Sequence, residues 1–246
     1  MITHRDWLAE RPFTLALSAG FFGFFAHTGL LRALERAGLR PRRVVGISAG
    51  ALAGGLWASG LDADAIAGEL LRLRRADFWD PGLPLGGLLR GDKFAAKLRA
   101  LLDDRGVADF AACPTPFAAI VHDLLRRRPE VVERGPLAPA IQASCAVPLM
   151  FRPLRRGLTL LVDGGVSDRW GLGALHPGER ILLHAHPTRS AHSRLLPPQP
   201  LPPSTAERAT LVIPDLPRVT PFRLDAGQPA LTAAYDHVRR WLDAPA

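Results

Sequence analysis

Between Arg11 and Arg32 run twenty residues, PFTLALSAGFFGFFAHTGLL, without a formal charge. A stretch that long and that apolar could be a bilayer span, but it holds Pro12, Ser18, Gly20, Gly23, His27, Thr28 and Gly29, and its periodicity changes midway. FTLALS has the β-prone, apolar character of a buried strand in a parallel sheet. A glycine turn follows at 19–24, and AHTGLLRALERAG then sets Leu30, Leu31, Leu34 and Ala37 on one helical stripe, with Gly38 as its stop. The segment therefore predicts strand, loop and helix in succession, not a membrane helix. RRVVGISAGALAGGLWASG repeats that grammar with a short strand at Val44 and Val45, a tight turn, and a helix of small residues ending near Gly60. Two such units in sixty residues predict an α/β sheet covered by helices.

The rest of the chain continues in the same style. LDADAIAGELLRLRRADFWD predicts an amphipathic helix with an Asp cap, and GDKFAAKLRALLDDRG another. PFAAIVHDL reads as a strand and RRRPEVVERG as the turn and return of a hairpin. LAPAIQASCAVPLMF predicts a short helix running into a loop at Pro148, while LTLLVDGG and RILLHAHP predict two further strands. PPQPLPP at 197–203 reads as a stiff surface loop, and a helix over about 229–243 closes the chain. With no internal repeat and no linker, 1–246 reads as a single domain.

Composition excludes some classes and leaves others open. The formal charge is +8, and all but two of the 31 cationic residues, Lys93 and Lys97, are arginine. Coding bias toward arginine, alanine and proline accounts for that skew without selection for charge, so nucleic acid and anionic membranes are permitted partners and neither is implied. Two cysteines, Cys113 and Cys145, cannot build a disulfide framework or a metal site, and a reducing compartment is the default expectation. The start, MITHRDWLAERPF, has charge and proline where a secretory apolar core would lie, which predicts no signal peptide and a cytoplasmic protein.

Three short motifs carry the chemistry. Gly46-Ile47-Ser48-Ala49-Gly50 fits G-x-S-x-G, in which glycines flank a serine held on a strained strand-to-helix turn. The plain alternative is a tight turn with an incidental serine. Ser18-Ala19-Gly20-Phe21-Phe22-Gly23 follows the first strand, and its backbone N–H groups could meet an oxygen held over Ser48. A phosphate loop fits it poorly, because the Lys-Ser/Thr ending and the full G-x-G-x-x-G are both missing. Asp163-Gly164-Gly165 ends the strand LTLLV, so that Asp163 could be a general base for Ser48, or simply part of a turn. All three strand ends are expected at the carboxyl edge of one sheet.

In this order the motifs resemble the patatin-like phospholipase family, lipid acyl hydrolases that work with a Ser-Asp dyad. The resemblance runs from about Thr14 to Gly171 and takes in AHTGLLRALERAGLRPRRVVGISAGALAGGLWASG, GGLLRGDKF, IVHDL, GPLAPAIQASCAVPLMFRP and LLVDGGVSD. It implies a three-layer α/β/α fold with a mostly parallel central sheet. It also implies Ser48 as nucleophile, Asp163 as base and Gly20, Phe21, Phe22 and Gly23 as the oxyanion loop, with Gly46, Gly50, Gly164 and Gly165 as motif glycines. The loop departs from the family pattern: Ser18 stands at its first glycine, its arginine is absent, one residue is added before His27, and phenylalanine fills 21, 22, 24 and 25. At least two of those rings are expected in the core of the first helix.

A Ser-Asp-His hydrolase would instead draw on His176, His184, His186 or His192. Ser48 follows only the second strand, early for that architecture, and ILLHAHP sets His184 and His186 on one face as structural histidines. His27 and His122 read as hydrogen-bonding residues at element ends, and Cys145 as a small buried residue. The leading expectation is a serine acyl hydrolase acting on a lipid ester without metal or organic cofactor. The rival is a lipid- or membrane-surface binding protein that has lost turnover, suggested by the altered loop and by the arginines at 126–128, 152, 155 and 156. Nucleic-acid binding rests on charge alone, with no reader motif beside it. Headgroup and oligomeric state have no signature in the chain.

Overall fold

The computed structural model describes residues 2–84, 86–187 and 197–246. In chain order the first elements are α1 (His4–Ala9), β1 (Phe13–Leu17), α2 (Phe24–Arg36), β2 (Arg43–Ile47), α3 (Ala49–Ala58) and α4 (Ala63–Leu71). Then come β3 (Gly87–Leu89), α5 (Asp92–Asp103), β4 (Phe117–Asp123), β5 (Arg128–Val132), α6 (Leu137–Ser144), β6 (Leu149–Phe151) and β7 (Leu154–Arg156). β8 (Thr159–Asp163), β9 (Arg180–His184), β10 (Arg208–Leu211) and α7 (Gly227–Asp243) complete the fold. The uncharged stretch is thus split into β1, a turn and α2, with Gly38 in the left-handed region just past the helix (φ 72°). Among the described residues no helix is long and apolar enough to cross a membrane.

β10, β9, β1, β2 and β4 run parallel in that order, as β-loop-α units require. Alternation sends Leu15, Leu17, Val44, Ala119 and Val121 into the main core with the helices. Ala16, Val45, Ile47, Ala118 and Ile120 face the other way, onto Trp170 and Ala174. That second cover is thin, built largely from the turns Gly164–Val166 and Leu172–Ala174. α7 packs on α2 so closely that a Cβ on Gly29 would lie 2.4 Å from Leu231 O.

The sequence reading needs two corrections. The helix expected through LDADAIAGELLRLRRADFWD ends at Leu71; Arg74 is extended, and a single turn, Arg75–Asp77, follows. The carboxylate of Asp77 accepts from Arg74 N–H at 2.7 Å, which starts that turn afresh, and Phe78 is carried inward to within 5.9 Å of the Phe22 ring. The second correction matters more. β8 runs antiparallel to β4, with Val121 opposite Asp163 and Asp123 opposite Leu161. β5 also pairs with these β4 residues, and it shares Ala119 and Ile120 with β2. A strand has two edges, so β5 holds one and β2 and β8 divide the other: β2 takes it as far as Ile120, and β8 from Val121 onward. Their carboxyl ends meet head to head.

Candidate active site

Ser48 stands where β2 gives out, at φ 53° and ψ −118°, and caps α3. A non-glycine residue held there is strained and must be over-determined by its surroundings. Gly46 and Gly50 meet that need by letting backbones close up. A Cβ on Gly50 would fall 2.0 Å from Leu17 O, and one on Gly46 would fall 2.6 Å from Ala51 Cα. The elbow is also tied to α6. Ser48 N–H donates to Ser144 Oγ at 2.9 Å, the Ser144 hydroxyl donates to Ile120 O at 2.6 Å, and the Cys145 thiol donates to Ser48 O at 3.1 Å.

Asp163 comes from the opposing strand end and is 5% exposed. Its carboxylate accepts a hydrogen bond from Gly165 N–H at 2.8 Å, and the Ser48 hydroxyl lies near enough to favour its charged form. Burial pushes the carboxyl up from 3.8 to about 6, against the opposing pull of those two donors. Gly164 follows β4's edge so closely that a Cβ would lie 2.3 Å from Ile120 O. Gly165 is packed as closely on the Ser18 loop, 2.8 Å from Ala19 Cβ by the same measure. Gln199, inside the proline-rich stretch, straps this turn: its Oε1 accepts from Arg169 N–H at 2.7 Å and its Nε2 donates to Gly165 O at 3.3 Å.

The third motif lies beside the pair. Ala19 N–H donates to Arg169 O and Gly23 N–H to Gly20 O, so Gly23 closes the turn on itself. Phe22 is in the left-handed region at φ 56°. The N–H groups of Gly20, Phe21 and Phe22 have no hydrogen-bond partner among the described residues, and all three residues line one cleft with Ser48 and Ala49. Ala49 N–H opens α3 and has no intrahelical acceptor either. Unpaired donors thus flank the serine on both sides. The cleft is almost wholly apolar. Phe21, Phe22 and Phe24 line it, whereas Phe25 is core, packed on Gly227.

The histidines gather elsewhere. His27 and His184 meet Nδ1 to Nδ1 at 2.9 Å, and His27 Nε2 bonds Ser18 O at 3.0 Å. The His186 ring sits under the Gly20–Gly23 loop, where a Cβ on Gly20 would lie 2.6 Å from it, and Ser18 Oγ accepts from His186 N–H at 2.8 Å. Burial holds His27 down to about 3 and His186 to about 4, so both rings are neutral supports at ordinary pH. His122 bonds Ser167 Oγ at 2.8 Å. Neither these histidines nor His176 is a hydrogen-bond partner of Ser48 or Asp163; His192 lies outside the described residues. Among the described residues no group of three or more His, Cys, Asp or Glu side chains could hold a metal ion.

A family model described as patatin-like phospholipase matches residues 15–175. The chain belongs to the patatin-like phospholipase family. An uncharacterised NTE-family protein of Mycobacterium tuberculosis is 36% identical over 156 residues, 63% of this chain and 42% of the relative. A lysophospholipase, NTE1, of Cryptococcus neoformans is 29% identical over 167 residues, 65% of this chain and 10% of that protein. This patatin-like chain therefore spans well under half the length of these relatives. Its fold is shared with VipD from Legionella pneumophila, at a TM-score of 0.65 and 14% identity over 94% of this chain and 67% of that one. It is shared also with the type III effector ExoU, at 0.52 and 18% over 94% and 52%.

Two contributors to the site carried no signal that sequence reading used. Ser144 is one polar residue in QASCAVP, and its partners are the backbone of β4 and of the elbow. Gln199 is the single hydrogen-bonding side chain within PPQPLPP, which is the only hint that this stretch does more than connect.

Proposed function

We propose that this patatin-like protein is a serine hydrolase of lipid acyl esters, with Ser48 as nucleophile and Asp163 as its general base. The observation that carries the reading is a buried Asp163, its carboxyl pushed up to about 6, set close enough to the Ser48 side chain for the serine to pull against that rise. A carboxylate of ordinary acidity is a weak base, and one raised toward neutral pH accepts the serine proton with less loss. Ser48 Oγ attacks the ester carbonyl carbon as its proton passes to Asp163. The carbonyl oxygen becomes an oxyanion, held by the free N–H groups of the Gly20–Phe22 loop and Ala49. Asp163 then gives the proton to the departing alcohol, leaving an acyl-serine. A water loses its proton to Asp163, attacks the acyl carbon and releases the fatty acid, and Ser48 recovers its proton.

The apolar cleft supports an acyl chain as the group held beside Ser48, and lipid esters as the substrate class. Family membership and the lysophospholipase among the relatives support the same class. The open donors of the Phe-bearing loop favour turnover over a binding-only role. Treatment with a fluorophosphonate probe, together with assays on short- and long-chain esters, tests the reading. Wild type is expected to label and turn over, and Ser48→Ala and Asp163→Asn to do neither. Labelling that persists in Ser48→Ala, or no turnover above that variant on any ester, refutes it.

A further inference from the structure

The division of β4's edge between β2 and β8 has a consequence above the active site. β4 continues three residues past Ile120, the residue level with the end of β2. At about 3.3 Å per residue it therefore rises about 10 Å beyond the level of the Ser48 elbow. Two hairpins finish there. One is the β4–β5 turn, LLRRR, and the other the β7–β8 turn, RRGL. Leu124 N–H donates to Leu160 O at 2.9 Å, which brings the two turns to one height on neighbouring strands.

Both tips are built alike. Leu125 is 61% exposed and Leu158 87%, each beside consecutive arginines. Asp123 stiffens the first turn by accepting from the N–H groups of Leu125 and Arg126, so Leu125 is held outward. Five exposed arginines share the two tips. Arg126 is paired with Asp123 and Arg156 with Glu130, which leaves Arg127, Arg128 and Arg155 without a carboxylate partner among the described residues. Scattered exposed leucines need no explanation, but leucines framed by unpaired cations at adjoining tips form a patch of definite chemistry. The patch is joined to the site: β7 starts three residues after Phe151, which lines the cleft, and β8 ends in Asp163.

The geometry points to these two hairpin tips as the surface that docks on an anionic lipid bilayer and sets the mouth of the cleft against the headgroups. The leucines enter the interface, and the three free arginines meet lipid phosphates. An anionic membrane is favoured over a protein partner because the unpaired charge is all of one sign and the apolar part is a few single leucines, Leu125 and Leu158 with the less exposed Leu124, not a continuous groove. The use of this surface in catalysis rests on the hydrolase reading above. Docking itself does not require turnover.

The test is co-sedimentation with vesicles of phosphatidylcholine alone and of phosphatidylcholine mixed with phosphatidylglycerol, at low and moderate salt. Wild type is expected to pellet with the anionic vesicles and to be released by salt. Each arginine near an anionic surface strengthens partitioning about fivefold, so R127Q/R128Q/R155Q is expected to weaken it about a hundredfold. L125S/L158S is expected to lower it as well. Turnover of a water-soluble short-chain ester should stay at the wild-type level in both variants, since none of these side chains touches the cleft. Pelleting that ignores phosphatidylglycerol, or that survives the triple substitution, overturns the proposal. Absence of turnover on every ester, short- and long-chain, in wild type would instead refute the hydrolase reading, and the pelleting result would still decide docking.

Discussion

Asp163→Asn is expected to stabilise the protein while it abolishes turnover. The carboxyl sits at about 6 in the folded protein against 3.8 in an open chain, because burial opposes its charge. A carboxyl raised in this way favours folding below 3.8 and withdraws that contribution as the pH climbs through about 6. At pH 8 the buried charge therefore costs about 3 kcal/mol relative to a neutral group, and at pH 5 about half as much. Asparagine keeps an oxygen for the Gly165 N–H and carries no charge, so it avoids that cost. Urea unfolding followed by tryptophan fluorescence at the two pH values gives the comparison. The variant should be the more stable at pH 8, with an advantage that shrinks by about half at pH 5. An advantage that does not change with pH, or a variant less stable than wild type at pH 8, would refute the reasoning. The same carboxyl predicts that wild-type kcat/KM rises with pH through about 6, as Asp163 becomes able to accept the serine proton.

Gly164→Ala forces a Cβ to within 2.3 Å of Ile120 O, where backbone meets backbone. It is expected to cost on the order of 3 kcal/mol in urea unfolding and to displace Asp163, so that ester turnover falls with it. Gln199→Ala removes the strap on the Gly165 turn; a tenfold loss of kcat, with a urea midpoint shifted by no more than about 1 kcal/mol, is the expected outcome. Both thiols are held protonated by burial, Cys113 up to about 11 and Cys145 well above its ordinary value. Iodoacetamide at pH 8 is therefore expected to label neither in the native protein and both after unfolding, as read by mass spectrometry.

The elbow could be read from sequence because its chemistry is local: a strained serine demands glycine two residues before and after, since a Cβ at Gly46 or Gly50 would fall 2.6 or 2.0 Å from backbone. The first strand, turn and helix were legible for the same reason, since a change from buried strand to helical stripe is written within twenty residues. The direction of β8 was not. LTLLVD is equally apolar in either orientation, and only its pairing with β4 decides which way it runs. The end of α4 was hidden by a helical pattern that continues past Leu71, where the Asp77 cap and the seat of Phe78 override it. Ser144 and Gln199 stayed out of view because each bonds backbone far away in the chain, Ser48 N–H for one and Gly165 O for the other.

The head-to-head meeting of β2 and β8 orders events in time. Domains emerge amino terminus first during synthesis. A growing chain that has reached the end of β5 already holds β1, β2 and β4, and with them the serine on its turn. It does not yet hold Asp163, the buried carboxylate that comes to lie beside Ser48. The two meet only when the last stretch of β4's edge is filled, and a product cut short before β8 carries the elbow without its acid. The pairing of serine and buried carboxylate is thus timed by the order in which the strands leave the ribosome.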